Sequence, residues 1–564
     1  MRKSINENLL TEKDLSQATN RNKNIAHKKI SQILIEFDEV LDVYKSTLGI
    51  DWLDESVLGK PDANHESVET LKNIYIERPG CKDFFDSSKN LIILNSPKGS
   101  GKTTLCKVFN EKLQNGEEYN NVDSIFLLDS DVSPSMDINR DYSEWKRLWE
   151  NNICKAIILK FAILAANKKF KLTFDSDLNY MIEEAKENGE IESSAVDFFR
   201  SSVKLPIDKD ILQHRRGKFN YVEILKRIMS KADRNFSFWL FVDEVDSQFF
   251  NTPQHINKVG SFLHVLANLA NSIKGLKVRS TIRPNVKKVL DSKDSNIANL
   301  GQLIFCKLKW NDEELKQLIA KRIYHHINRK RPELFNEHLF DMYYGQVVDQ
   351  DSFVKEEKKS SQNYLANLSH HRPRWLMDLI SRSGKYACDV KKGKLIDFYD
   401  VQRSLGEYGR ARIADLSAEY QNECNDLSKL TAHLTGLVNS KLTYNVLTRK
   451  FRNITDATRN ISVFGSTHEN NPHNIVELLY YVGILVGKTE ERFIQKKVSS
   501  EGFTSTEGGK TPKNMTFDED DQFIFKCKTS DNDGKHKIRI HEAFEVCLDV
   551  APVKKRKIRV KPQL

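Results

Sequence analysis

From about residue 70 onward, short apolar runs of the chain alternate with segments of helical periodicity. Strands that are apolar along their whole length and alternate with helices are typical of a mainly parallel sheet covered on both faces. The pattern therefore predicts an α/β fold, a three-layer sandwich of helices around a sheet. The apolar runs that predict its strands are Leu91 to Leu94, Ser124 to Leu128, Phe238 to Val242, Leu276 to Ile282 and Leu303 to Leu308.

Changes in this pattern divide the chain into four predicted regions. Residues 1–68 form a polar arm and a helix, and residues 69–330 form the sheet domain, with a helical insertion at about 140–222 that we expect outside the sheet. Residues 331–430 are helical and polar, which is typical of a helical lid. Residues 431–564 form a last, winged-helix-like α+β domain that ends in a basic tail.

Two sequence patterns support the predictions for the first and last of these regions. Apolar residues between Ile30 and Tyr44 recur at intervals of three and four, which predicts an amphipathic helix. Near the C-terminus, apolar positions from Ile475 to Leu485 predict a buried helix. The segments Gln522 to Lys528 and Lys535 to Ile540 predict a hairpin around an Asp-Gly turn. Helices followed by a hairpin are the pattern of a winged helix.

Composition excludes several classes of protein. The 564 residues are too many for one hydrophobic core, and 39% hydrophobic with 29% charged residues describe a globular chain rather than a disordered one. Eight dispersed cysteines lack the spacing of a zinc site, so we expect reduced thiols. Without a signal peptide or an apolar run of about 18 residues, the sequence predicts a cytoplasmic protein with no membrane insertion.

The net charge of +10 is modest for this length, but part of it is concentrated at the C-terminus. Such a run can be a solvated tail, or it can bind phosphates of nucleic acid by releasing counterions. Both interpretations stay open. The clustered residues are Lys554, Lys555, Arg556, Lys557, Arg559 and Lys561.

The strongest chemical signal is NLIILNSPKGSGKTTL, an apolar strand followed by a glycine-rich loop and a helical pattern. Glycines let backbone N–H groups turn toward phosphate oxygens, a lysine spans the β- and γ-phosphates, and a hydroxyl contacts Mg²⁺. Ser96 departs from the usual first glycine of this motif. A chance match on an irregular turn is the alternative. The predicted nucleotide-binding residues are Lys98, Gly99, Ser100, Gly101, Lys102, Thr103 and Thr104, with Thr103 as the magnesium ligand and Lys102 also catalytic.

The segment FSFWLFVDEVDSQFF predicts the second half of such a site. Asp243 ends a buried strand, where its carboxylate can reach Mg²⁺ opposite the threonine hydroxyl. Glu244 follows and can orient or deprotonate the attacking water. The alternative is an acidic pair that only solvates the end of the strand.

A third strand, LKVRSTIRPNV, ends in polar and cationic residues. Ser280 or Thr281 could bond to the γ-phosphate, and we assign Ser280 to the nucleotide. Arg283 could neutralise charge in the transition state, with Arg279 as the competing candidate and an ordinary structural arginine as the other alternative.

The segment HHRPRWLMDLI places Arg372 and Arg374 at the start of a helix in the predicted lid. An arginine delivered from a lid onto a nucleotide can convert hydrolysis into movement. A solvated helix start is the alternative. His370 and His371 lack matching carboxylate or cysteine neighbours, so no metal is predicted there.

Together these segments resemble bacterial P-loop ATPases of the AAA+ and STAND broad class, in particular a family with a KGSGKT phosphate loop that is frequently associated with phage defence. The resemblance spans roughly residues 70–385 and is most specific at Lys98 to Thr104, Phe238 to Glu244 and Ser280 to Pro284. It implies a P-loop NTPase fold, an ATP-driven switch or oligomeric ATPase with phage defence as its biological setting, and a lid arginine at Arg374.

The leading hypothesis is an ATPase switch with ATP and Mg²⁺ as cofactors, which controls an effector or sensor protein and assembles as a homo-oligomer. The rival hypothesis is a DNA-binding loader or remodeller that grips the duplex with its winged helix and basic tail. A scaffold that binds ATP without hydrolysing it is the third.

Overall fold

The computed structural model describes residues 50–550, except for gaps at 51, 53, 55, 61, 79–80, 116–121, 135, 137–139, 167–219, 233–234, 294–303, 331–343, 346, 358, 392–394, 455–459, 464–471, 489–493, 500–501 and 508–536. Three sequence predictions lie outside the described residues: the helix from Ile30 to Tyr44, the strand Gln522 to Lys528 and the basic tail.

Five strands form a parallel sheet in the spatial order β2-β3-β4-β1-β5. All five strands predicted for this sheet are present, with ends that differ by at most two residues. The order places β1 and β3 on either side of β4, so the carboxyl ends of these three strands meet at one edge. The strands are β1 (Leu91–Asn95), β2 (Val122–Leu128), β3 (Ser237–Asp243), β4 (Leu276–Ile282) and β5 (Ile304–Lys307).

Helices cover both faces of this sheet, because alternate residues of a strand point to opposite sides. On β3, Trp239 and Phe241 pack against Phe109 on one face, while Phe238 and Leu240 enter a separate core on the other. Burial on both faces explains why β3 is apolar throughout. The helices of this part are α1 (Val68–Ile74), α2 (Lys82–Phe85), α3 (Lys102–Asn115), α4 (Asp129–Val132), α5 (Tyr142–Ala166), α6 (Tyr221–Lys231), α7 (Pro253–Ser272), α8 (Pro284–Lys293) and α9 (Asp312–Lys330).

The start of the predicted insertion is a layer of the sandwich. Helix α5 adds no strand to the sheet, but Trp145 and Trp149 are fully buried in the same core as β3, and α5 packs along α7. The Trp149 indole donates to the backbone carbonyl of Lys258 at 3.0 Å. Helix α5 therefore covers one face of the sheet with its apolar stripe, and the insertion limits of about 140–222 stay a prediction. Residues 167–219 lie outside the described part.

A second core joins the predicted lid to the C-terminal region. It contains Trp375 and Tyr408 together with Leu447, Leu479 and Phe544, all buried. The two regions are thus packed as neighbours without an intervening linker in the described residues. Their elements are α10 (Gln350–Glu357), α11 (Ser361–Leu368), α12 (Pro373–Lys391), α13 (Phe398–Glu419), α14 (Leu427–Ala432), α15 (Tyr444–Asn453), α16 (Pro472–Tyr481), α17 (Glu542–Glu545), β6 (Leu485–Lys488), β7 (Ile494–Ser499), β8 (Gly502–Glu507) and β9 (Lys537–Ile540).

The C-terminal elements follow the order of a winged helix. A helix, a short 3₁₀ segment at Asn439–Lys441, two further helices and the antiparallel pair β6 and β9 succeed one another, with the pair β7 and β8 between those strands. The Asn439 amide donates to the Ile540 carbonyl and accepts the Ile540 N–H, which ties the 3₁₀ segment to β9. The predicted strand ending at Ile540 is present and pairs with Leu485–Lys488.

In the part of the chain that the structure describes, no helix is both long enough and apolar enough to cross a membrane.

The contact between α13 and the segment around α17 depends on one glycine. A Cβ atom at Gly409 would lie 2.6 Å from the backbone oxygen of Ala543 and 2.7 Å from Sγ of Cys547. We expect Gly409→Ala to destabilise the chain by roughly 1–3 kcal/mol, because backbone oxygen cannot move aside as a flexible side chain does. Urea unfolding of the full chain measures this change.

Gly406→Ala is the matched control on the same helix. Its Cβ would meet only Cγ1 of Val546 at 3.5 Å, an ordinary contact. The better helix propensity of alanine should then leave stability unchanged or raise it by up to about 1 kcal/mol. Equal effects of the two substitutions would contradict the close approach at Gly409.

Candidate functional site

The glycine-rich loop connects β1 to the N-terminus of α3 at the edge where β1, β3 and β4 end. Gly99 and Gly101 have φ values of +80° and +93°, which favour glycine. The Lys102 ammonium donates to the backbone oxygens of Ser96 at 2.5 Å and Pro97 at 3.1 Å, so its side chain curls across the loop. A glycine-rich loop between a central strand of a parallel sheet and the following helix is the defining feature of the P-loop NTPase fold.

Burial lowers the pKa of Lys102, and the nearby carboxylates Asp246 and Asp243 oppose that effect. A buried ammonium ion at a helix N-terminus needs anions around it. The loop therefore combines a cation and a helix N-terminus, the two features that bind phosphate.

Ser96 explains the departure from the usual first glycine. The φ of Ser96 is not positive, so a side chain is tolerated there. Its hydroxyl accepts the Leu308 N–H at 2.7 Å and donates to the Asn95 carbonyl at 2.7 Å. The serine thus ties the end of β1 to the residue that follows β5, where glycine could not.

Asp243 is the centre of the polar edge and is 1% exposed. Its Oδ2 accepts a hydrogen bond from the Thr103 hydroxyl at 2.6 Å, and its Oδ1 accepts one from the Thr281 hydroxyl. The two residues predicted to hold Mg²⁺ are therefore in direct contact. A carboxylate and a hydroxyl beside a phosphate-binding loop are the oxygen donors that Mg²⁺ uses with a nucleotide, so this set fits the ion.

Ser280 and Thr281 point in different directions. The Ser280 hydroxyl donates to the backbone carbonyl of Val242 at 2.8 Å, within the sheet, and the residue is fully buried. Thr281 reaches Asp243 instead. Of the two hydroxyls weighed from the sequence, Thr281 is the one that the structure brings to the other site residues, because neighbouring strand residues face opposite sides.

Glu244 follows Asp243 with a φ of +67°, a conformation that is rare for residues other than glycine. Its Oε1 accepts a hydrogen bond from the Asn64 amide at 3.1 Å. Burial raises the pKa of Glu244, and the neighbouring Asp243 adds to this effect. A strained, half-buried carboxylate with a raised pKa is typical of functional sites.

Asn64 was not identified from the sequence. It lies in a polar turn before α1, 180 positions away from Glu244. The same turn reaches two other elements of the site: the backbone oxygen of Ala63 accepts from the Lys107 ammonium at 3.2 Å, and Asp62 lies 3.6 Å from the Arg374 guanidinium. No local motif marks such a turn, so only the fold reveals it.

Arg283 lies near the site but is engaged by Asp246. Its backbone N–H donates to Asp246 Oδ2 at 2.5 Å, and its Nε is 3.9 Å from Asp246 Oδ1. The competing candidate, Arg279, is fully buried in β4 and donates to the carbonyls of Phe84 and Asp86. Burial lowers the pKa of Arg279 to about 9. Arg279 is therefore a structural arginine, and Arg283 is the candidate that lies near Lys102 and Asp246.

Both lid arginines lie against the phosphate loop. The Arg374 N–H donates to the Gly99 carbonyl at 3.3 Å, and a Cβ atom at Gly99 would lie 3.1 Å from Cβ of Arg374. Arg372 forms a buried ion pair with Glu419 at 2.5 Å. The start of α12 is thus in direct contact with the loop, as the lid prediction requires.

The other predicted loop residues differ in their burial and contacts. The Ser100 carbonyl accepts from the Trp310 indole at 2.7 Å, which holds the loop from the side of α9. Thr104 is half-buried in the first turn of α3, and Lys98 is exposed. The indole of Trp310 was also missed from the sequence, where nothing distinguishes it from a core tryptophan.

Comparisons with solved structures give loose likenesses. The Aeropyrum pernix ORC2 protein, in ADPNP–ADP complexes, is 12% identical with a TM-score of 0.32, and the match covers 77% of this chain and 91% of that one. A Walker-type ATPase of Pyrococcus abyssi is 13% identical with a TM-score of 0.35, covering 74% and 91%. The Aeropyrum pernix ORC1 protein in complex with DNA is 14% identical with a TM-score of 0.29, covering 78% and 85%.

No protein-family model matches the sequence, and no curated protein matches it. At TM-scores this low the structural likenesses carry no argument about activity. The fold class rests on the strand order, the phosphate loop and the position of Asp243 in this chain.

One further carboxylate, Glu423, lies where the end of α13 meets the sheet domain. Its residue is 8% exposed, and its Oε2 has no hydrogen-bond partner among the described residues. Burial raises its pKa to about 7, a hydrogen bond from Asn285 and the charge of Lys288 oppose the rise, and the charge of Glu419 adds to it. Between about pH 4.5 and pH 7 the folded chain therefore keeps a proton on Glu423 that the unfolded chain has lost.

We expect Glu423→Gln to stabilise the chain at pH 8 but not at pH 4. Between the ordinary pKa near 4.5 and the raised value near 7, the folded state binds more protons than the unfolded state, so stability falls as pH rises. Removing the charge should recover about 2–3 kcal/mol above pH 7. Urea unfolding of the variant and the wild type from pH 4 to pH 8 measures the difference.

Glu477→Gln, at an exposed glutamate on α16, is the control and should give a flat difference over the same range. A Glu423→Gln difference that does not depend on pH would show that folding leaves the pKa of Glu423 unchanged.

Proposed function

We propose that this chain is a magnesium-dependent ATPase of the AAA+ kind, in which the bound nucleotide sets the position of the lid. The observation that carries the proposal is the contact of Thr103 with Asp243 beside the buried ammonium of Lys102. Two segments 140 positions apart meet there with the donors that a magnesium nucleotide requires.

The residues divide into groups by chemistry. Lys102 and the N–H groups of the loop bind phosphate, and Thr103 with Asp243 holds Mg²⁺, which supplies charge neutralisation when bound. Glu244 orients the attacking water and accepts its proton, and Asn64 holds the Glu244 carboxylate at 3.1 Å. Arg283 and Arg374 are the cations that can offset negative charge as it develops.

Contacts between the lid and the loop support the switch. The start of α12 touches Gly99, and α12 belongs to the core that continues into the C-terminal elements. A change at the phosphates therefore reaches the C-terminal region through packed side chains, which transmit small shifts because they are rigid.

The biological setting is a proposal of its own. The resemblance of the KGSGKT loop favours a STAND-like switch in antiphage defence, cytoplasmic and homo-oligomeric, that acts on an effector or sensor protein. The domain limits proposed from the sequence, at 68, 330 and 430, go with this proposal. An ATPase assay with purified candidate effectors separates the switch from a free-running enzyme.

We predict that Lys102→Ala loses ATP binding, while Glu244→Gln binds ATP and hydrolyses it at least about 100-fold more slowly than the wild type. The first change removes the charge at the phosphates, and the second removes only the proton acceptor. Equilibrium binding of a fluorescent ATP analogue and release of phosphate measure the two effects.

Lys112→Ala, on the same helix as Lys102, is the matched control and should leave both quantities unchanged. Equal phosphate release by the wild type and Glu244→Gln would favour the scaffold that binds ATP without turnover. Binding that survives Lys102→Ala would remove the basis of the proposal.

Nucleic-acid binding is the alternative that a specific observation favours. The C-terminal elements have the winged-helix order, and α15 exposes Arg449 and Arg452. The pKa of His433 is lowered by burial and then by the charges of Lys450 and Lys429, so both lysines lie near His433. Such a cluster attracts phosphates.

For this alternative we expect the logarithm of the duplex DNA affinity to fall linearly with the logarithm of salt concentration, and Arg449→Ala to make that slope shallower by about one. Fluorescence anisotropy with a labelled duplex at several salt concentrations measures both. Lys226→Ala, at a surface lysine of α6, is the control. Absence of duplex binding in dilute buffer would leave the protein-directed switch alone.

A further inference from the structure

Glu419, the last residue of α13, lies against the phosphate loop although α13 belongs to the lid. Its side chain is 2% exposed. Oε1 accepts the backbone N–H of Lys98 at 3.0 Å, and Oε2 accepts from Nη1 of Arg372 at 2.5 Å. A carboxylate 321 positions from Lys98 thus takes two hydrogen bonds at the mouth of the loop.

Both of these donors are groups that can bind phosphate. Backbone N–H groups of a glycine-rich loop donate hydrogen bonds to anions, and the guanidinium of an arginine beside them adds a planar cation. Arg372 also lies within 3.5 Å of the Lys98 carbonyl, so it is held against the loop itself. In this structure the Glu419 carboxylate is the anion that accepts hydrogen bonds from both donors.

The electrostatics connect Glu419 to the centre of the site. Burial alone would raise the pKa of Glu419, but Arg372 and the Lys98 N–H outweigh it and hold the pKa below its ordinary value. The charge of Glu419 in turn raises the pKa of Lys102, and Arg283 stabilises the Glu419 carboxylate. A fixed negative charge therefore acts on the same cations as a bound triphosphate would.

Stability alone does not explain this pair. A buried ion pair gains little over apolar residues of the same size, because desolvation offsets the attraction between the charges. Apolar side chains at 372 and 419 would fill the space as well. The position of the pair on a loop amide is the feature that apolar residues could not supply.

The end of α13 is also fastened to the sheet domain beside Glu419. The Asn285 amide donates to the Glu419 carbonyl at 3.2 Å, and the Asn422 amide donates to the Phe249 carbonyl at 2.8 Å. Asn422 also accepts the Asn251 N–H at 2.8 Å. Releasing the Glu419 carboxylate would remove the charged contact by which this attachment reaches the loop.

We infer that Glu419 determines the preference between nucleoside triphosphate and diphosphate, because its carboxylate competes with the terminal phosphate for Arg372 and the Lys98 amide. A diphosphate, held by Lys102 and Thr103, leaves the Arg372–Glu419 pair intact. A triphosphate takes these donors and loosens the end of α13 from the loop. The inference rests on the proposed nucleotide site and adds the residue that reads the third phosphate.

The test is Glu419→Gln, in which the amide oxygen can still accept the Lys98 N–H but the charge is gone. We expect the affinity for a non-hydrolysable ATP analogue to rise about tenfold, and the affinity for ADP to change by less than about threefold. Equilibrium binding with Mg²⁺ on the full chain gives both constants. An unchanged or weaker preference for the triphosphate overturns the inference.

Two further variants test whether competition for Arg372 causes the change in nucleotide preference. Glu423→Gln removes a buried carboxylate four residues on that shows no hydrogen bond or ion pair with Arg372 or the loop among the described residues, so the triphosphate preference should stay near the wild-type value. Adding Arg372→Met to Glu419→Gln should abolish the gain, because the released cation is then missing. A gain that persists without Arg372 contradicts competition for this arginine.

A second measurement covers the case in which Glu419→Gln unfolds because the Arg372 charge is left buried. Amide hydrogen exchange of the wild type at residues 416–423 should be faster with the triphosphate analogue than with ADP. Slower or equal exchange contradicts the release of α13. A wild type that binds no nucleotide, or a Lys102→Ala variant that binds it equally, defeats the proposed function rather than this inference.

Discussion

The carboxylate of Asp243 is the contact on which the rest of the site depends. It accepts hydrogen bonds from Thr103 of α3 and Thr281 of β4 while its own residue ends β3, so three elements are fixed to one another at a single point. A buried carboxylate is tolerated only when its oxygens are satisfied. Fixing Asp243 in this way also places the next residue, Glu244, whose φ is positive and whose carboxylate accepts from Asn64.

Much of the sheet domain could be predicted from the sequence, because its signals are local. Strand β3 is apolar on both faces and ends in a carboxylate, and the loop from Ser96 to Thr103 carries its own glycine spacing. Each feature depends on residues within about one turn or one strand. The parallel sheet then brings their ends together without further information, since parallel strands share a carboxyl edge.

The parts that could not be predicted depend on contacts between distant segments. Asn64 meets Glu244 across 180 positions, and Glu419 meets Lys98 across 321. Neither residue belongs to a periodic pattern, and a polar residue in a turn or at a helix end has many other uses. The choice of Thr281 over Ser280 likewise needed the register of β4 beside β3, because adjacent residues of a strand face opposite sides.

The contacts of Asn64 and Glu419 link the site to segments outside the sheet. Asp62 and Asn64 approach from the side of the N-terminal turn, and Glu419 with Arg372 approaches from the lid. An anion in the loop changes the charge that each of these groups meets, while the apolar cores beneath them stay packed. A bound anion would therefore act first on the polar rim of the site, and the packed core that joins the lid to the C-terminal elements would pass the change on as a unit.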